Sequence, residues 1–246
     1  MSKKTIIQAI NLKKSFGSAT PARDISVSIE EHSVVGLIGT NGAGKTTFVN
    51  MLTGYIRPDS GEILYFDKKI TGLAPRSVTK LGIARSFQIP QLFTSQTTRE
   101  NIEIALAISG VPAALANESL ARLGVLEFAD ALSGTLPEGT RKLLDIALAM
   151  VCQPKVLLLD EPTSGVAADE KFDVMNRVLD AARAQNVTVL FVEHDMEIVR
   201  RYSNRVLAFC DGTIIADGSP EAVLADPAVR ELIIGETTIG RETDHA

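Results

Sequence analysis

Gly39-Thr40-Asn41-Gly42-Ala43-Gly44-Lys45-Thr46 fits the pattern G-x-x-x-x-G-K-[ST]. An apolar run over residues 33–38 precedes it, and a helical pattern over 45–52 follows. In that setting the glycines let successive backbone N–H groups turn inward around phosphates, and the following helix offers its positive end. The motif assigns Lys45 to the β- and γ-phosphates of a nucleotide and the Thr46 hydroxyl to Mg²⁺. Asn41, Gly42, Ala43, Gly44 and Thr47 complete the cradle. The plain alternative is a glycine turn with a surface lysine, and the strand before it and helix after it argue against that.

Outward from this loop the chain reads as α/β. Residues 5–9 form a strand-like run, and Ile25, Val27 and Ile29 alternate on a second, which predicts a β-rich opening. Residues 60–66 and 83–87 read as further strands. From about 97 to 151 the chain is Ala/Leu-rich with helical spacing, so it predicts a helical lobe inserted into the first. Beyond it strands at 155–159, 187–192, 205–209 and 213–216 alternate with helices at 169–184 and 196–202. In the longer helix Phe172, Met175, Val178, Leu179 and Ala182 share one face. Ser219-Pro220 opens another helix with a capping residue and a proline at its first position. Alternating strand and helix predicts a mainly parallel sheet covered on both faces. With the opening strands, the expected architecture is a P-loop NTPase core (mainly parallel sheet plus antiparallel β-subdomain) with an inserted α-helical lobe. Its expected boundaries are a core lobe at 1–88 and 155–236, a helical lobe at 89–154 and a flexible tail at 237–246.

Val156-Leu157-Leu158-Leu159-Asp160-Glu161 is the second piece of chemistry. An apolar central strand ending in two acids puts Asp160 at the carboxyl end of a sheet, where ligands of open α/β sheets bind. Asp160 would hold Mg²⁺ through water, and Glu161 would orient or deprotonate an attacking water. Alone the pattern is weak, because buried strands often end in an acid; beside a phosphate loop it is strong.

Composition narrows the class. The 246 residues are 45% hydrophobic with a formal net charge of −5, enough length for a proper core and the wrong sign for a nucleic-acid binder. The longest apolar candidate, residues 104–116, is shorter than the roughly 18 residues of a membrane span and carries Ser109, Gly110 and Pro112. The opening residues lack the apolar stretch of a signal peptide. Cys152 and Cys210 stand isolated, which predicts two buried reduced thiols in a cytoplasmic protein.

The order of phosphate loop, Gln88, helical lobe, Leu158-Leu159-Asp160-Glu161-Pro162-Thr163-Ser164-Gly165 and Glu193-His194-Asp195 resembles the ATPases of ABC transporters over nearly the whole chain. The resemblance implies an ATP- and Mg²⁺-dependent ATPase that docks peripherally on transmembrane permease subunits at the inner face of the cell membrane. It implies a second ATPase subunit, a related chain or another copy, and an indirect link to a periplasmic or extracellular solute-binding protein. It makes Gln88 a lid glutamine that contacts Mg²⁺ and relays to the membrane subunit, and His194 a switch histidine at the γ-phosphate. It places Phe16, in Lys14-Ser15-Phe16-Gly17, against adenine. Without that frame His194 reads as a structural cap and Phe16 as core.

One element departs from the family. Its signature Leu-Ser-Gly-Gly-Gln opens a helix and completes the ATP site of the opposite subunit. Leu132-Ser133-Gly134-Thr135 imitates it, but counting back from Ile146-Ala147 places the signature at Leu136-Pro137-Glu138-Gly139-Thr140. Gly139 is retained, while Pro137 replaces the serine hydroxyl and has no N–H of its own. Ala167 also stands where the family carries Asp or Asn. These departures point to a heterodimer with unequal sites, the alternative being a neutral helix-start proline. The Gln88 context and the run Val229-Arg230-Glu231-Leu232-Ile233-Ile234-Gly235-Glu236 look most like ATPases for uptake of branched-chain (hydrophobic) amino acids, a group that includes carriers of amides and aromatic acids. The resemblance extends to the ATPase of lipopolysaccharide export. A soluble ABC protein and a P-loop kinase are the readings from other classes, and the absence of a second cassette and the presence of Gln88 and His194 disfavour them.

Overall fold

Thr5–Phe16 (β1) and Ala19–Glu30 (β2) pair antiparallel across a turn at Gly17-Ser18. Both strands are longer than the sequence pattern predicts, because apolar alternation breaks at Asn11. There the ladder shifts register between Ala9 and Leu12, and Asn11 takes a φ of 47°. Val34–Gly39 (β3), Lys45–Leu52 (α1), Ser60–Tyr65 (β4), Lys68–Lys69 (β5), Pro75–Lys80 (α2) and Ile83–Arg85 (β6) follow. Next come three helices with no strand among them: Thr98–Ser109 (α3), Ala116–Arg122 (α4) and Glu138–Met150 (α5). The first of these opens with a capping box, in which Thr97 and Glu100 each accept from the other's backbone N–H. Val156–Asp160 (β7), Lys171–Ala184 (α6), Thr188–Val192 (β8), Met196–Tyr202 (α7), Arg205–Cys210 (β9), Thr213–Gly218 (β10) and Pro220–Ala225 (α8) restore the alternation. The computed structural model describes residues 4–235. The tail expected at 237–246 lies outside the described residues.

Two sheets result. A four-stranded antiparallel sheet runs β2-β1-β4-β5, and a six-stranded sheet runs β10-β9-β3-β8-β7-β6. Within the larger sheet β6, β7, β8, β3 and β9 are parallel, and only the edge strand β10 is antiparallel. A parallel sheet must be covered on both faces, and β7 shows how the sequence meets that demand. Leu157 and Leu159 point into a cluster with α3, α5 and α6 residues such as Ile102, Leu144 and Val178. Val156 and Leu158 point the other way, into a cluster with Phe48 of α1 and Ile7 and Ile25 of the smaller sheet. All five residues of β7 are buried. The run of consecutive apolar residues is thus one strand wedged between two cores.

The cysteine expectation needs correction. Cys152 is exposed, with its Sγ 3.1 Å from Ser109 Oγ, and Cys210 is half-buried. Each sits where an element ends, Cys152 in the turn leaving α5 and Cys210 beside the turn at Asp211-Gly212, and chain ends of this kind reach the surface. Among the described residues no helix is long and apolar enough to cross a membrane.

Leu158 tests the two-core arrangement, since it is fully buried in the middle of β7. Leu158→Ala should lower unfolding free energy by about 2–5 kcal/mol. Denaturant titration followed by circular dichroism measures this; a loss below about 1 kcal/mol would mean the strand is not wedged as described.

Candidate nucleotide site

The loop between β3 and α1 is shaped by its glycines. Gly44 has φ +105°, and a Cβ there would lie 2.0 Å from the carbonyl oxygen of Pro21. A side chain at this position is therefore excluded twice, by conformation and by space. Helix α1 begins with no side-chain cap and no acidic residue in its first turn. Its leading N–H groups and the positive end of its dipole are left open to an anion. The loop 41–47 lines a cavity of about 160 Å³ together with Pro21, Glu161 and His194. Asn41, Gly42, Ala43, Gly44, Lys45, Thr46 and Thr47 all belong to that lining, as the motif predicts.

Lys45 is buried, and its Nζ donates to the carbonyl oxygens of Gly39 (2.5 Å) and Thr40 (2.9 Å). Burial holds the lysine below its ordinary pKa, while the nearby Glu161 and Asp160 pull it back up. Asp160, at the end of β7, is buried and ion-paired at 2.6 Å with Arg85 from the end of β6. Arg85 also donates to Asn50 of α1, so one guanidinium joins two strands to the helix of the phosphate loop. Sequence reading missed Arg85. Its only signal was position, at the carboxyl end of a strand that proves to neighbour β7.

Glu161 follows with φ 51°, a left-handed backbone rare for this residue type. Its N–H donates to Val192 O at 3.0 Å, which anchors it beside the end of β8. Both carboxylate oxygens are engaged: Gln88 Nε2 donates to Oε2 at 2.7 Å, and His194 Nε2 lies 3.2 Å from Oε1. Residues 88, 161 and 194 thus converge at the mouth of the phosphate cavity. The neighbouring Glu193 is buried and accepts from Thr163 N–H (2.9 Å), Thr163 Oγ1 (2.7 Å) and His194 N–H (3.2 Å). That carboxylate ties the loop after β7 to the loop after β8, a role absent from the sequence reading.

Phe16 ends β1 with half its surface exposed, and the Lys14 ammonium lies 5.3 Å from its ring centroid. It belongs to the hairpin that also carries Pro21, so an aromatic face stands near the cavity but does not line it. Pro137 and Gly139 are likewise absent from the cavity lining. Pro137 is the residue before α5, with φ −55° and ψ 152° and no side-chain cap, and Gly139 is buried in the first turn. The look-alike Ser133 is buried, with its hydroxyl donating to Phe93 O at 2.9 Å.

Thr46, Asp160 and Gln88 carry a hydroxyl, a carboxylate and an amide oxygen, donor types suited to a hard cation such as Mg²⁺; Thr46 lines the cavity, and Gln88 meets the cavity-lining Glu161. Mg²⁺ keeps several waters and takes one or two carboxylates plus substrate phosphates. Arg85 holds Oδ2 of Asp160 and leaves Oδ1 to other partners.

Comparison with known proteins gives the family and the fold. A family model described as ABC transporter matches residues 22–164. The high-affinity branched-chain amino acid transport ATP-binding protein LivG of Salmonella typhimurium is 34% identical, over 93% of this chain and 97% of that protein. BraF of Pseudomonas aeruginosa, which carries the same description, is 33% identical over 94% and 98%. Among solved structures, the ADP conformation of an ATP-binding cassette of an ABC transporter superposes with a TM-score of 0.87 at 32% identity, covering 95% of this chain and all of that one.

Gly44→Ala isolates the loop. The added methyl meets the Pro21 carbonyl, so the loop must open and nucleotide affinity should fall more than tenfold in a fluorescent ATP-analogue titration. Unchanged affinity would show that the cavity beside Pro21 is not where phosphates bind.

Proposed function

The chain belongs to the ABC transporter family of ATP-binding ATPase subunits, and from that premise we propose that it energises uptake of branched-chain amino acids or related small amide or aromatic solutes. The observation that carries the catalytic part is the convergence of Gln88 and His194 on the Glu161 carboxylate at the mouth of the phosphate cavity. Lys45 leaves its two carbonyl partners for the β- and γ-phosphates, and the open N–H groups of the loop and α1 take the remaining phosphate oxygens. Phe16 offers its exposed face to adenine. Thr46, Asp160 and Gln88 would hold Mg²⁺, which neutralises phosphate charge when bound. Glu161 accepts a proton from water as that water's oxygen bonds the γ-phosphorus. The bond to the β–γ bridging oxygen breaks, its electron pair stays with ADP, and phosphate is released. His194 steadies the γ-phosphoryl oxygens.

In this reading residues 1–88 and 155–236 form the nucleotide-holding lobe and 89–154 the helical lobe that faces partners. The chain sits peripherally at the inner face of the membrane, on permease subunits served by a solute-binding protein outside. Its second ATPase subunit is a relative with an intact signature. The site built on this chain's Lys45 and Glu161 is then complete, whereas the opposite site receives Pro137 and lacks a hydroxyl donor. A hydrogen bond to a charged group contributes about 1.5–3 kcal/mol, or roughly ten- to a hundredfold in rate.

Two measurements test this. Glu161→Gln should retain ATP binding yet silence hydrolysis by the assembled transporter, while the matching change in the partner should leave much of the activity. Wild-type turnover in the first variant removes Glu161 from catalysis, and equal losses in the two remove the asymmetry.

The second concerns docking. Ile89 and Phe93 are 74% and 56% exposed, close behind Gln88, with Pro90 and Leu92 half-buried between them. The backbone of Phe93 is nonetheless fixed, its N–H donating to Asn101 and its carbonyl accepting from Asn101 and Ser133. A rigid loop that presents bare apolar side chains suits a membrane-subunit helix. Phe93→Asp should abolish co-purification with the permease and change ATP affinity by less than twofold; intact co-purification would sink this placement.

A further inference from the structure

Lys142 and Asp145 lie three residues apart on α5, on one face of the helix, and both are buried. A lysine and an aspartate in such a setting are costly to desolvate, and burial lowers the pKa of the lysine and raises that of the aspartate. Their hydrogen bonds go not to each other but to the backbone of two loops. Asp145 Oδ2 accepts from Phe87 N–H at 3.0 Å and Oδ1 from Gln91 N–H at 2.9 Å, so one carboxylate grips the chain on both sides of Gln88. Lys142 Nζ donates to the carbonyl oxygen of Gln88 and, at 3.2 Å, to that of Glu161. One ammonium therefore joins the backbones of the two residues whose side chains meet at 2.7 Å.

We propose that Lys142 and Asp145 are positioning residues that set the Gln88 amide against the Glu161 carboxylate and make the Gln88 loop move as one piece with α5. The apolar residues around them on α5 already fill the core. The pair supplies four hydrogen bonds to backbone groups of the two loops, which an apolar pair would leave unsatisfied. Because α5 begins just after Pro137, with Gly139 in its first turn, a shift at that start carries Gln88 with it. This inference rests on the reading that Glu161 is the base of ATP hydrolysis.

The test uses the transporter assembled from the full-length chain, its second ATPase subunit and the permease, with Lys142→Met, Asp145→Asn and, as the conservative variant, Lys142→Arg, beside Glu161→Gln in this chain. Lys142→Met and Asp145→Asn should lower kcat at least tenfold while KM for ATP and the Kd of a fluorescent ATP analogue stay within twofold. Amide hydrogen exchange at Phe87 and Gln91 should quicken at least tenfold, with β7 unchanged. Lys142→Arg keeps donors for both carbonyls and should recover most of kcat. Should Lys142→Met fail to fold, Lys142→Gln, which keeps a donor without the charge, is read in its place. Wild-type kcat in Lys142→Met and Asp145→Asn overturns the proposal. So does a parallel loss of kcat and nucleotide affinity with exchange quickened throughout β7, which marks a merely structural role. If Glu161→Gln itself turns over at the wild-type rate, the ATPase reading fails. If it is inactive while the α5 variants are normal, only the positioning role falls.

Discussion

A parallel register holds the site together: Asp160 stands beside Val192 and Val192 beside Leu37, so the carboxyl ends of β7, β8 and β3 fall on one edge. The phosphate loop leaves that edge from β3, Glu161 from β7 and His194 from β8. Slipping any of these strands by one residue would turn its buried side chains onto the opposite face, and the two-sided core forbids that. The packing of Leu157 and Leu159 against helices, and of Leu158 against the smaller sheet, is therefore what keeps the acid within bonding distance of the histidine and both on one cavity with the cationic loop.

The charges on that edge are held by partners of two kinds. Lys45 rests on two backbone carbonyls, Glu161 on an amide and an imidazole, and Asp160 on Arg85. Neutral dipoles satisfy the lysine's donors, so exchanging them would strand no carboxylate. Asp160 differs, because its pair with Arg85 is buried and breaking a buried pair is strongly destabilising. Asp160 is thus held more firmly than Lys45 or Glu161. Glu193 is fixed in the same sense, its three accepted hydrogen bonds joining the two loops that carry Glu161 and His194.

Much of this was legible in sequence, and the limit has a physical form. The phosphate loop, the apolar run into Asp160 and Glu161, and the helices at 45–52 and 196–202 announce themselves by local pattern, and local pattern decides local backbone. The residues that aim the site escape such reading. Arg85 meets Asp160 across 75 positions of chain, and Asp145 meets Phe87 across 58. Neither contact leaves a period or spacing behind. On α5, Lys142 and Asp145 look like two polar positions on an amphipathic helix until the fold shows that they face inward. The early strands illustrate a different limit: bulges near Asn11 interrupt the alternation on which strand reading depends, although pairing continues through them.

Pro137 is where sequence and structure have to be weighed together. With φ −55° and ψ 152° it sits in a backbone conformation that proline adopts without strain, just before the first helical residue. A residue there needs no N–H for the helix, and its carbonyl still accepts from Arg141 N–H at 2.9 Å. Glu138 supplies a negative charge in the first turn, favourable to the helix dipole. Proline therefore leaves α5 intact. What is missing is chemical: a side-chain oxygen that could accept from the first-turn N–H groups, and a hydroxyl that could donate outward. A Cβ at Gly139 would meet the Glu170 carboxylate, Val166 and Val174 only at ordinary van der Waals distances of 3.4–3.6 Å, so packing within this chain does not require glycine there. The start of α5 thus keeps its helical geometry with proline in an exposed position, so the departure changes the chemistry displayed at the helix start and not how this chain folds.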